Sequence, residues 1–299
     1  MTDKTRIFFI ENLNSGRVKK IIPKLDKAIL DNIDRSKFEP VIAKTSTLEE
    51  ARQVIKEAGD SENSVIVAVG GDGTVNKTIN EIAGKNITLG IIPLGSGNAL
   101  ARELNIPLNI KKAVNVINNH KKKEIDLMLV NDKYYGACVG GVGFDALIAE
   151  KFEKLTTRGL KNYIRLSVQE YFRYKNIEFT LEINGEKIHK KAFLLSFANT
   201  RQYGNNAYIA PKAIIDDGMI DIVILKELKV IDTPGLAAKL FTKKIDNSKY
   251  IDYYKANSFK IITGQPEIYI HLDGEPIAIY QNFVEVKNKN KMLKVIHNL

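Results

Sequence analysis

Four short apolar runs mark the first part of the chain: "RIFFI" (6–10), "FEPVIA" (38–43), "SVIVAV" (64–69) and "ITLGIIP" (87–93). Their length and β-branched content predict strands. Between them the apolar positions recur every three or four residues, which predicts helices. Val18, Ile21, Ile22, Leu25, Ile29 and Ile33 mark the first helix, where Pro23 fits best if the helix begins close to it. Thr47 and Glu50 have the spacing of a capping box and open a helix bearing Leu48, Ala51, Ile55 and Ala58. Val75, Ile79, Ile82 and Ala83 line the next helix, which Gly84 ends. Two more helices are expected at 99–104 and 111–119. The run at 64–69 is apolar on both faces, as a central parallel strand is. Alternating strands and helices predict an α/β unit, a Rossmann-like parallel sheet with helices on both faces.

After about residue 125 the pattern changes. "EIDLMLVNDKYYGACVGGVGF" reads as strand, Asn-Asp turn, strand. "IEFTLEINGEKIHKKAFLLSFAN", "GMIDIVILKE", "FKIIT", "EIYIHLDGEPI" and "FVEVKN" are strand-like runs separated by Asn-Gly, Asp-Gly and Gly-Gln-Pro turns. This predicts a β-rich second domain with antiparallel pairing. One helix is expected near 232–244. Another, at 157–175, carries Leu160, Tyr163, Ile164, Val168, Tyr171 and Phe172; it either lines a ligand entrance or packs as plain core.

Composition narrows the function. The 299 residues are 44% hydrophobic and 27% charged, as in globular proteins with a sizeable core. No run of about 18 apolar residues occurs, so no membrane-spanning helix is expected. The N-terminal apolar run is too short for a signal peptide and lacks a small-residue cleavage site. The one cysteine, Cys138, excludes an intrachain disulfide framework, and four scattered histidines give no zinc spacing. A cytoplasmic location is the expectation. The net charge of +10 favours partners that carry phosphate. The lysines fall in short dispersed groups, either a solvated surface or a membrane-facing patch. No aromatic or helical signature of nucleic-acid binding is present.

Ligands of parallel sheets bind beyond the carboxyl ends of the strands. Four polar loops leave such ends here: "ENLNSG" (11–16), "KTST" (44–47), "GGDGT" (70–74) and "PLGSGN" (93–98). Glycine-rich turns at helix N-termini suit a phosphate. The loops match neither the P-loop nor the dinucleotide fingerprint. A carboxylate, Asp72, stands among the glycines. It can hold a divalent cation that phosphates bring with them, or merely cap a helix.

At these residues the chain resembles the diacylglycerol kinase catalytic-domain family, which includes soluble bacterial lipid kinases and sphingosine kinases and is distantly related to NAD kinases. "GGDGT" with Asn76 and "PLGSGNALARELNIP" carry the likeness. "NLNSG", "VGGVGFDA" (139–146), "FANTRQYGNN" (197–206), "APKAIIDDGMIDIVIL" (210–225) and "HLDGEP" (271–276) follow in the family's order over nearly the whole chain. The resemblance implies a nucleotide domain at 1–128, an antiparallel β-sandwich lipid-substrate domain at 129–284, a cleft between them, and a C-terminal segment at 285–299 that returns to the first. It implies ATP contacts at Asn12, Leu13, Asn14, Ser15, Gly16, Thr45, Gly70, Gly71, Asp72, Gly73, Thr74, Val75, Asn76 and Ser96. Asp72 and Asp126 would belong to a catalytic Mg²⁺ network. A structural Mg²⁺ would take the Asp217 side chain and the carbonyls of Ile214 and Met219. Three positions depart from the family: Leu13 for proline, Lys77 for an acid and Ala99 for aspartate.

Phosphoryl transfer to an alcohol needs a base for the hydroxyl. "LDGEP" offers Asp273 and Glu275 on a turn that is, by itself, an ordinary Asp-Gly hairpin. The family match makes Glu275 the base and leaves Asp273 a supporting residue. The expectation is an ATP- and Mg²⁺-dependent lipid kinase acting peripherally at a membrane surface, without nucleic acid, and with a homodimer possible. The alternatives are an NAD kinase, against which "GGVGFDA" speaks, and a non-catalytic nucleotide or lipid sensor, which has no need of Glu275.

Overall fold

The structure, a computed structural model, describes residues 4–14, 18–155 and 160–299. The chain forms two compact units, one of residues up to 125 together with 291–299, the other of 126–290.

The first unit runs β1 (Thr5–Asn12), α1 (Val18–Leu30), β2 (Phe38–Thr45), α2 (Leu48–Ala58), β3 (Ser64–Gly70), α3 (Asp72–Ile82), β4 (Ile87–Pro93), α4 (Ala99–Glu103) and α5 (Ile110–Asn119). The strands lie in the order β2-β1-β3-β4, all parallel. Every residue of β3 and β4 is buried, as the doubly apolar sequence of β3 requires. The capping box forms at α2. The Thr47 hydroxyl accepts the Glu50 N–H at 3.2 Å, and the Glu50 carboxylate accepts the Thr47 N–H at 3.3 Å and the Ser46 N–H at 2.5 Å. Pro23 departs from expectation: it sits inside α1, in the second turn, rather than at the start. Leu25 and Ile29 of that helix are completely buried, and their burial outweighs the ladder bond that proline removes.

The second unit begins within β5 (Lys122–Val130). It continues through β6 (Tyr134–Gly136), β7 (Val139–Gly143), α6 (Phe144–Glu153), α7 (Leu160–Tyr171), β8 (Ile177–Ile183), β9 (Glu186–Ala192), β10 (Leu194–Ala198), β11 (Ile220–Leu225) and α8 (Thr233–Phe241). Then come β12 (Ile251–Ala256), β13 (Ser258–Thr263), β14 (Ile268–Leu272), β15 (Glu275–Ile279) and β16 (Phe283–Ile296). One layer has the order β12-β11-β10-β7-β14-β15, antiparallel throughout. The other holds β16, β13, β8 and β9, also antiparallel. Phe179 and Leu181 from β8, with Ile261 and Val284, share one core with Phe197, Ile222 and Ile270 of the opposite layer. This is the antiparallel sandwich. The Asn184-Gly185 turn has φ of +51° and +82°, the two-residue hairpin that its sequence predicts. Helix α6 and strand β12 were not anticipated. The far end of β16 enters the first unit, where Lys294 and Val295 pair parallel with Thr88 and Leu89 of β4.

Removing the cap hydroxyl tests the local reading at α2. Thr47→Ala should lower stability by about 1 kcal/mol in urea unfolding, with the slope unchanged.

Candidate functional site

In the first unit the loops after β3 and β4 are locked together by one side chain. The Asp72 carboxylate accepts the Asn98 N–H at 2.8 Å through one oxygen and the Ala99 N–H at 2.6 Å through the other. It therefore caps α4, the helix of the neighbouring loop, although it lies in the first turn of α3. Asn98 closes its own loop: its side chain accepts the Gly95 N–H at 2.8 Å and donates to the Gly95 carbonyl at 2.7 Å. The Leu94 N–H donates to the Gly70 carbonyl at 2.8 Å. Close packing forces glycine here. A Cβ on Gly95 would stand 2.6 Å from the Gly71 Cα, and one on Gly71 would stand 3.0 Å from the Gly95 Cα. Helix α3 starts at Asp72, directly after the glycines, and a helix N-terminus suits an anion.

Beside this pair of loops lies a cavity of about 110 Å³ lined by Asn12, Asn14, Thr45, Ser46, Thr74 and Lys77, among others. Asn12 donates to the Thr74 hydroxyl at 3.3 Å, and Asn14 donates to the Ser46 carbonyl at 2.6 Å. The Leu13 N–H donates to the Thr45 carbonyl at 2.9 Å, a bond to the end of β2 that the proline expected from the resemblance could not make. The structure thus brings Asn12, Asn14, Thr45 and Thr74 to one cavity. Gly70, Gly71, Gly73 and Asp72 gather at the loop contact. Val75 is buried on the inner face of α3, the Asn76 side chain accepts from Asn80 at 3.1 Å, and Ser96 is exposed at the tip of its loop. Ser15 and Gly16 lie outside the described residues.

The second unit holds Asp126 and Glu275. Asp126 is completely buried; its carboxylate accepts the Gly218 N–H at 2.7 Å and the Asn288 amide at 3.3 Å. This ties it to the turn that contains Ile214, Asp217 and Met219. The Asp217 carboxylate accepts the Met219 N–H at 3.1 Å and pairs with the Lys255 ammonium at 2.6 Å. Lys255 also stands 3.6 Å from Asp221. The oxygen-rich turn has the chemistry Mg²⁺ takes, yet an ammonium already neutralises its carboxylate. Among the described residues no group of three or more His, Cys, Asp or Glu could hold a metal.

Glu275 opens β15, paired with Leu272 across the hairpin. Asp273 and Gly274 form the turn with φ of +53° and +86°, where a backbone of this hand favours glycine second. Asp273 also anchors the hairpin. Its carboxylate accepts the N–H groups of Ala137 at 2.8 Å, Cys138 at 2.8 Å and Val139 at 3.2 Å. Behind it is a polar cluster to which the sequence reading gave no role. The Oδ2 of buried Asp145 accepts from the Ser196 hydroxyl at 3.0 Å, His271 Nε2 at 3.1 Å and the Tyr203 hydroxyl at 3.2 Å. Asp145 stands in "VGGVGFDA" and His271 in "HLDGEP", so the signal was the motifs themselves. A larger open groove of about 910 Å³ lies near the β8–β9 turn and meets these residues only at Gly218 and Asn288.

A further missed residue is Glu11, fully buried in β1. Burial first, then the neighbouring Asp26 carboxylate, push its pKa up to about 7, with Lys44 opposing.

The fold is that of the diacylglycerol and NAD kinases. A diacylglycerol kinase from Bacillus anthracis superposes with a TM-score of 0.71 at 21% identity, over 100% of this chain and 98% of that one. An NAD kinase from Archaeoglobus fulgidus, in complex with ATP, reaches 0.52 at 12% identity, over 98% and 94%. Sequence narrows the class. Residues 6–130 match the diacylglycerol kinase catalytic domain, and residues 138–297 match the YegS C-terminal NAD kinase beta sandwich-like domain. A diacylglycerol kinase of Bacillus subtilis is 30% identical over 274 residues, covering 90% of this chain and 89% of that one. The "Probable lipid kinase YegS" of Salmonella dublin is 30% identical over 247 residues, covering 79% and 80%. The chain belongs to the diacylglycerol kinase catalytic-domain family.

Two variants test this geometry. Asp273→Ala leaves three amides without their acceptor and should cost ~2 kcal/mol or more in denaturant unfolding. Glu11→Gln should act through pH. The raised pKa means the folded state holds this proton more tightly than the unfolded state, whose pKa is near 4.5. Wild-type stability therefore falls as pH rises from about 4.5 to about 7 and then levels. The variant should lose that slope and be the more stable protein above pH 7 relative to its standing at pH 4.5.

Proposed function

We propose that this protein is an ATP- and Mg²⁺-dependent kinase that transfers the γ-phosphoryl group to a hydroxyl of a membrane lipid such as diacylglycerol. The observation that carries the reading is the pair of glycine loops braced by Asp72, in a chain whose family is that of diacylglycerol kinases. Amides at the start of α3 and the polar groups of Asn12, Asn14, Thr45 and Thr74 suit nucleotide phosphates. Asp72 keeps both loops in place, so the donor amides need no reorganisation when the nucleotide binds.

The Asp72 carboxylate accepts the Asn98 and Ala99 amides, one through each oxygen. When bound, Mg²⁺ would neutralise phosphate charge, held by Asp72 directly or through water. Asp126 belongs to that Mg²⁺ network in this reading by the family resemblance. An ion at Asp217 would share that carboxylate with Lys255, and the mechanism gives it no part.

Glu275 is the base in this reading. It takes the proton of the lipid hydroxyl as that oxygen forms its bond to the γ-phosphorus, while the bond to the β,γ-bridging oxygen breaks and ADP leaves. Asp273 holds the hairpin that carries Glu275 and is a positioning residue.

The test is transfer of labelled phosphate from ATP to a lipid panel with Mg²⁺. Phosphorylation of at least one lipid is expected. Glu275→Gln should lose activity by about 10² or more with nucleotide binding retained, and Asp72→Asn should lose both. Full activity in Glu275→Gln would remove the base assignment. Phosphorylated NAD without phosphorylated lipid would replace the lipid reading.

A further inference from the structure

Helices α7 and α8 leave an apolar surface uncovered on the second unit. Their inner residues pack on one cluster: Leu166 and Tyr171 from the first helix, Leu228 and Leu236 from the second segment, all against Phe144, Ile148 and Phe193. The Tyr171 hydroxyl donates to the Leu228 carbonyl at 3.0 Å, so the two segments are neighbours. On the outside, Ile164 and Val168 on α7 and Phe172 just past its end are exposed, Phe172 by 70%. Their spacing of four places them along one face. Val230 and Ile231, in the single turn before α8, and Phe241 at its end are exposed as well, Ile231 by 85%. Single exposed apolar residues are ordinary; six large ones on two adjoining segments make a patch that water does not favour.

The exposed charges around the patch are mostly basic. Arg165, Arg173 and Lys175 are exposed beside the first stripe, and Lys229, Lys243 and Lys244 flank the second. Of the acids in these stretches, Glu227 alone is classed as exposed among the described residues. Glu170 is paired with Lys151 at 2.7 Å, Asp246 with Lys212 at 3.0 Å, and Asp232 accepts from the Tyr250 hydroxyl at 2.5 Å. Exposed basic groups thus rim an apolar centre.

We propose that this face docks the protein on an anionic lipid membrane. Ile231, Phe172 and Val168 enter the boundary between headgroups and acyl chains, and the arginines and lysines meet the lipid phosphates. A second copy of the chain is a poor occupant, because a two-fold contact would set each basic rim against its twin. The proposal extends the kinase reading and rests on it for the substrate's location, yet its test requires no turnover.

The test is cosedimentation of the full chain with vesicles of phosphatidylglycerol and phosphatidylethanolamine, against vesicles of phosphatidylcholine. Wild type should bind the anionic vesicles, more weakly as NaCl rises from 0.1 to 1 M. The double variant Phe172→Ser with Ile231→Ser should bind about tenfold or more weakly, with an unchanged unfolding midpoint because both side chains are exposed. Its phosphorylation of a short-chain, water-soluble diacylglycerol should equal that of wild type. Equal vesicle binding by variant and wild type would overturn the proposal. So would a variant that changes only the oligomeric state. Vesicle binding that follows the prediction without phosphate transfer to any lipid would remove the kinase reading and leave the docking face standing. Transfer to the short-chain lipid with unaltered vesicle binding would do the reverse.

Discussion

A carboxylate held between two backbone amides of a neighbouring loop organises the first unit. Asp72 begins α3, but its oxygens are taken by Asn98 and Ala99 at the start of α4. The loops after β3 and β4 approach so closely that Gly71 and Gly95 admit no side chain between them. Charge-assisted bonds of this kind are roughly twice as strong as neutral ones. The brace fixes where the amides of two helix starts stand. A loop pair that is set before a ligand arrives needs no ordering on binding, which is why three glycines are tolerable here despite their entropy cost.

The second unit solves a similar problem with different means. A hairpin turn is a weak platform by itself. Here the turn residue Asp273 reaches across to three consecutive amides at 137–139. His271 stands two residues before that anchor and meets Asp145, which also takes Ser196 and Tyr203. Buried polar groups of this kind are costly unless satisfied, and when satisfied they fix one arrangement of strands. Asp126 is treated likewise, with Gly218 and Asn288 as its donors. Asp72, Asp126 and Asp273 thus serve the backbone first. Whatever chemistry they perform, they perform from positions already fixed by N–H groups.

The basic surplus shows how little composition says about location. Dispersed lysine pairs read equally well as a solvated surface or as a membrane-facing patch. The fold turns one set of them, with two arginines, to the rim of the apolar face at α7 and α8. Elsewhere lysines are spent on single acids, as at Lys44 with Asp26 and Lys190 with Asp252. Exposed pairs of that kind add little to stability.

The sequence by itself determined the elements whose information is local. The doubly apolar β3, the Thr47–Glu50 cap and the Asn184-Gly185 and Asp273-Gly274 turns follow from periodicity and dihedral preference, and so did the class of both units. It also marked the glycine loops and the residues Asp72, Asp126 and Glu275. It did not show that Asp72 caps the helix of another loop, that Lys255 neutralises Asp217, or that His271 meets the carboxylate of Asp145, 126 residues away. Nor did it show that Glu11 is buried beside Asp26, or that Pro23 lies within a helix. Local rules act over a few residues, because dihedral angles and capping bonds reach no further. These pairings depend on which strands and loops become neighbours, and only the folded chain decides that.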